Sequence, residues 1–122
     1  MRRLVRRARR WTTSLIAYVE ARGAFARKLR LREIDPSVLK PALAAFEREW
    51  EALDCIRVDD AMARQAADFA ELYALRAYDA IHLASADLLR GSIRSGVEFA
   101  CFDEALNRAA ARIGLQTLSI KP

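Results

Sequence analysis

Leu75-Arg76-Ala77-Tyr78-Asp79-Ala80-Ile81-His82-Leu83-Ala84-Ser85-Ala86 is the stretch whose reading decides the fold. Residues 79–90 are predicted to form a helix that is apolar nearly all round, and a helix without a polar face is a buried one. Asp79 opens it. Aspartate is favoured as an N-cap, where it satisfies orphan backbone amides, so a structural and a chemical role are both open from pattern alone. His82 follows one turn on and could pair with Asp79 around a metal. A lone histidine on an apolar helix is more often a satisfied, hydrogen-bonded core residue, and burial without metal ligation is the expectation here.

Working outward, Val97–Phe102 reads as a strand, 103–113 as a helix ending at Gly114, and Leu115–Ser119 as a last strand. Upstream, Cys55–Val58 alternates as a strand should, and Asp59 and Asp60 open a helix through about Leu72. Leu43, Phe46, Trp50 and Leu53 form an amphipathic stripe. Asp35-Pro36 marks the turn before it, and Pro41 must sit in an early helical turn, because further in it would break the helix. Ser14 can cap a helix to about Arg30 with Leu15, Tyr18, Val19, Ala26 and Leu29 on one face. Trp11-Thr12-Thr13 is a β-prone stub, and residues 2–10 read as a short basic helix. Short strands alternating with helices imply a parallel sheet covered on both faces. In such sheets binding chemistry collects at the carboxyl ends of the strands.

The 122 residues, 53% of them hydrophobic, suffice for one folded domain with a core of its own. No internal repeat or linker divides them. No apolar run approaches the ~18 residues of a membrane span, and the basic opening lacks the apolar region of a signal peptide. Cys55 and Cys101 match no metal spacing and lie in apolar surroundings, so buried, reduced, well-separated thiols of a cytoplasmic protein are expected. Lys+Arg number 21 against 16 Asp+Glu, a net +5. Arg2, Arg3, Arg6, Arg7, Arg9 and Arg10 supply six of those positives, and without them 15 bases face 16 acids. The basicity belongs to one arm, which suits phosphate contacts or is simply an exposed helix face.

There is no Gly-rich phosphate loop, no Gly-x-Ser-x-Gly turn and a single histidine, which argues against nucleophilic triads and zinc clusters. Acidic residues remain. Glu20 has Ile16, Ala17, Gly23 and Ala24 as helical neighbours and no base to pair with; it is either a partly buried functional carboxylate or an exposed one on the helix flank. Asp103 directly follows a strand, at a carboxyl end, where it also suits capping the next helix. Asp59 and Asp60 occupy the same kind of position, and pattern does not separate the two cases.

Resemblance does. The stretch around Asp79 strongly resembles the PIN-domain segment that carries the third acidic residue. Phe99-Ala100-Cys101-Phe102-Asp103-Glu104-Ala105-Leu106, with Ala109-Ala110 and Gly114-Leu115, resembles the family's closing strand, final acid and last helix. Thr13-Ser14-Leu15-Ile16-Ala17-Tyr18-Val19-Glu20 looks like the strand and helix with the second acid. Order and spacing agree over essentially the whole chain, and the resemblance is to the VapC toxin type. It implies a three-layer α/β/α fold with a short parallel sheet. It also implies a ribonuclease toxin held in check by an antitoxin that docks over the acidic site. Glu20, Asp79 and Asp103 then become catalytic and metal-ligating residues for Mg²⁺ or Mn²⁺, converging within the span of one or two ions. Asp59 and Asp60 do not carry over. RNA is the implied substrate, and a homodimer is compatible with it. Hydrolysing a phosphodiester needs an activated water and neutralised phosphate charge, which carboxylate-held hard cations provide.

The chain departs from the family at its start. The family opens with a strand running into an aspartate, and no Asp or Glu precedes Glu20 here. That strand lies mid-sheet, so a single PIN-like domain over 1–122, incomplete at its N-terminus, should carry a gap as well as lack a ligand. A start site placed too late, a truncated chain or a decayed toxin would each explain it; Met1 falling inside what reads as a continuous helix favours the first. A chain short of one ligand is expected to cleave weakly or not at all. The rival readings are a catalytically impaired PIN remnant acting as a binding module, and a helical nucleic-acid binder using the arginine arm.

Overall fold

The computed structural model describes residues 10–93 and 96–119. In chain order these form β1 (Thr12–Ser14), α1 (Ile16–Arg30), α2 (Pro36–Glu51), β2 (Asp54–Ile56), α3 (Asp60–Tyr73), α4 (Ala77–Ser92), β3 (Glu98–Cys101), α5 (Glu104–Arg112) and β4 (Gln116–Ser119). The expected basic helix over 2–10 lies outside the described residues apart from Arg10, which is exposed and pairs with Asp54 at 2.8 Å.

The strands are parallel, as the helical crossovers require. β1 pairs β2 with Thr13 opposite Cys55, and β3 pairs β4 with Phe99 opposite Thr117. A single sheet was expected. The described strands instead make two separate two-stranded sheets. Between them lies a cleft of about 780 Å³, walled by β1 on one side and β3 on the other. One face of α4, carrying Asp79, His82, Ser85 and Leu89, forms its floor.

The core is built where α3, α4 and α5 meet β3. Met62, Ala66 and Phe69 of α3 face Ala80, Leu83 and Ala84 of α4, and Phe99, Leu106, Ala109, Ala110 and Leu115 complete the cluster. Alanines on the facing helix surfaces let backbones approach closely, so Leu83 is wholly enclosed at 0% exposure. The helix is not buried all round, however: Leu88 is 53% exposed.

Boundaries follow local chemistry. Asp35 caps α2 by accepting from Ser37 N at 2.8 Å, Pro36 takes the first helical place, and Pro41 falls in the second turn. Asp59 caps α3 through Met62 N at 2.8 Å. α5 ends at Gly114, whose φ of +89° and the bond from Leu115 N to Ala110 O form a Schellman-type stop. α3 makes the same 6→1 turn through Ala74, a non-glycine residue at φ +53°.

Three expectations need correction here. α1 leans on α2 through Tyr18 and Phe25, whose rings lie 5.7 and 6.0 Å from Phe46, whereas Leu15, Val19 and Ala26 of the expected face are exposed. Aromatic area outweighs the aliphatic pattern. Cys55 is exposed, since β2 is an edge strand of a two-stranded sheet; Cys101 is only partly buried. Both thiols are free, as expected. Ser14 does not occupy the cap of α1, which falls to Leu15; its hydroxyl does lie 3.4 Å from Ile16 N.

Candidate functional site

Asp79 sits in the first turn of α4, but it does not cap the helix. Arg76 holds the cap position, and no side chain caps there. The structural role that competed for Asp79 is thus taken away, and its carboxylate is left for other work at 13% exposure. Arg76 Nε donates to Asp79 Oδ2 at 2.9 Å.

Asp103 divides its oxygens. Oδ1 accepts from Leu106 N at 2.8 Å as the cap of α5, while Oδ2 lies 3.8 Å from the same Arg76 guanidinium. Two carboxylates from the starts of two helices therefore face one cation, beside the carboxyl end of β3. The hydrogen bond to Asp79 chiefly, with the charges of Asp79, Tyr78 and Asp103 adding, holds the Arg76 guanidinium above its ordinary pKa. Cys101 lies against this pair. Its Sγ donates to Asp103 O at 3.3 Å. Burial pushes its thiol pKa up, the Asp103 backbone bond partly offsets this, and the negative charges of Asp103 and Asp79 add to the rise.

Glu20 reaches the neighbourhood from α1. Its Oε1 meets Nε2 of His82, one turn beyond Asp79 on α4. His82 is hydrogen-bonded as expected, but only partly buried, at 22% exposure. Glu20 has no basic partner on its own helix and finds its partner across the fold.

Asp79 and Asp103 converge on Arg76, and Glu20 is engaged separately by His82. Among the described residues no group of three His, Cys, Asp or Glu closes on one ion position. The donor chemistry of the Asp79–Asp103 pair still fits a hard divalent cation: both present carboxylate oxygens, and both already turn toward a positive charge. Asp59 and Asp60 stay apart, Asp59 as a cap and Asp60 in an exposed pair with Arg64 at 2.8 Å.

Arg76 had no role in the sequence reading. The available signal was its place three residues before Asp79, a spacing that brings opposite charges together on a helix. Its reach to Asp103 depends on the tertiary fold.

The chain is similar to two ribonucleases of Mycobacterium tuberculosis, Ribonuclease VapC45 of strain CDC 1551 / Oshkosh and Ribonuclease VapC49 of strain ATCC 25618 / H37Rv. Each is 33% identical to it over 102 residues, which cover 84% of this chain and 69% of the relative. No family model matches the chain, and no solved structure matches it significantly.

Proposed function

As the chain belongs to the VapC ribonuclease family, we propose that it is a metal-dependent endoribonuclease of a toxin–antitoxin pair, acting on RNA phosphodiesters. The observation that carries this reading is the meeting of Asp79 and Asp103 around one positive charge at the carboxyl end of β3. Mg²⁺ or Mn²⁺ bound there, with Glu20 as the further acid of the family's order, would supply an activated water and neutralise phosphate charge.

The chain's own residues do the positioning. α4 holds Asp79 in a little-exposed place where water screens its charge weakly. The α5 cap fixes Asp103, because one of its oxygens is committed to Leu106 N. His82 fixes Glu20. The open side of the cleft gives an extended polynucleotide access to the acids, and a cognate antitoxin would act by covering that side.

The fold proposed is the three-layer PIN arrangement in a single cytoplasmic domain, with β1 and β3 on either side of the cleft. The cleft between the two half-sheets supports this reading. No helix among the described residues is long and apolar enough to cross a membrane.

A second reading, a PIN remnant that binds without cutting, is favoured by one observation: among the described residues no third acid joins Asp79 and Asp103. RNA cleavage with Mg²⁺ and with Mn²⁺, measured beside Asp79→Asn, separates the two. Metal-dependent cleavage lost in the variant supports the enzyme. RNA binding without cleavage supports the remnant.

A further inference from the structure

We infer that Arg76 is a built-in counter-cation that occupies the place a divalent ion would take between Asp79 and Asp103, so that ion and guanidinium exchange. This rests on the reading of those two acids as the cation site.

The geometry is specific. The guanidinium spans the two carboxylates, with Nε 2.9 Å from Asp79 Oδ2 and an Nη 3.8 Å from Asp103 Oδ2. The oxygens it faces are those left over once local structure is satisfied: Asp103 Oδ1 is committed to the α5 cap, and α4 needs no cap from Asp79. Two carboxylates this close to a common point repel unless a cation separates them. Arg76 removes that repulsion and keeps the starts of α4 and α5 together.

The same cation is built to leave. Its side chain is 63% exposed, so water and salt compete for it, and exposed pairs hold weakly. In this same placement its guanidinium carbon lies 4.9 Å from the centroid of the Tyr78 ring, a contact that steadies the side chain beside the acids without screening it from water. Two positive charges cannot share the space between the acids, and an entering ion must turn Arg76 outward. Arg76 is therefore a positioning residue that lowers divalent affinity while keeping the acids aligned.

The test is Mn²⁺ binding without RNA, by electron paramagnetic resonance of free Mn²⁺, on the full chain and on Arg76→Ala, Arg76→Gln and Arg76→Lys. Arg76→Gln keeps part of the aliphatic stem, and circular dichroism checks each fold. Removing one competing charge should tighten Mn²⁺ binding about 3–10-fold in Arg76→Ala and Arg76→Gln, with Arg76→Lys nearer the parent. A residue with only a structural role would not raise affinity when removed. Equal or weaker binding in the neutral variants, with the parent binding Mn²⁺, overturns the exchange and leaves the cation site standing. No Mn²⁺ binding in any form overturns both.

Discussion

Glu20 Oε1 and His82 Nε2, 62 residues apart in sequence, form a contact that joins α1 to α4. Neither helix supplies another partner for Glu20, so the pair is the polar fastening between them at this end of the fold. His82→Ala should lower stability by about 1 kcal/mol, discounted from the value for charged hydrogen bonds because both groups are partly wet. A double-mutant cycle with Glu20→Ala, read by urea unfolding, should return a coupling of about 0.5–1 kcal/mol. Additive single effects would show that the contact does not stabilise.

Two aspartates in similar sequence positions should separate cleanly. Asp59 caps α3 through Met62 N, so Asp59→Ala should lower stability by about 0.5–2 kcal/mol. Asp79 caps nothing, and Asp79→Asn, which keeps an acceptor for Arg76, should leave stability closer to the parent. Thermal melts of both variants check this. A larger loss in Asp79→Asn would return Asp79 to a structural role.

Much of this was legible beforehand. Asp103 following β3 and the apolar stripe of α4 placed two acids correctly at element starts, because strand ends and helix periodicity are local properties. The face of α1 was misjudged, since Phe25 against Phe46 depends on how α2 packs. The Glu20–His82 contact and the reach of Arg76 to Asp103 depend on contacts between distant segments, which no local pattern encodes. Exposure of Cys55 follows from a sheet that stops at two strands, another fact of assembly.

Leu83 is the most enclosed large side chain, at 0% exposure between α3 and α5. Leu83→Ala should cost about 2–5 kcal/mol in urea denaturation, because it removes a wholly buried side chain and leaves a cavity in the core. A loss below ~1 kcal/mol would mean that α4 is not the centre of the core. In the opposite direction, Ala74→Gly at φ +53° should stabilise by about 0.5–1 kcal/mol by relieving a left-handed alanine.

The Cys101 thiol is held above its ordinary pKa, mainly by burial. The folded state thus keeps this proton to higher pH than the unfolded chain. Its contribution is fully present below the unfolded thiol pKa of ~8.5 and is lost as pH rises through the folded value. Stability should fall with pH across that window, less steeply in Cys101→Ala. Iodoacetamide at pH 8.5 should label exposed Cys55 before Cys101, as mass spectrometry would show. The reverse order would contradict the burial described.

The central claim is that Asp79 and Asp103 form the reaction centre of a ribonuclease. The most direct measurement is cleavage of a defined RNA by the chain with Mg²⁺ and with Mn²⁺, beside Asp79→Asn, Asp103→Asn and Asp59→Asn. The account predicts slow cleavage, because among the described residues no third acid joins the pair. It should be abolished by chelation and reduced more than ~100-fold in Asp79→Asn and Asp103→Asn, since even supporting groups at metal sites cost 10–100-fold. Asp59→Asn should cleave as the parent does. Cleavage that survives chelation and both substitutions, or no cleavage under any condition, would contradict the claim.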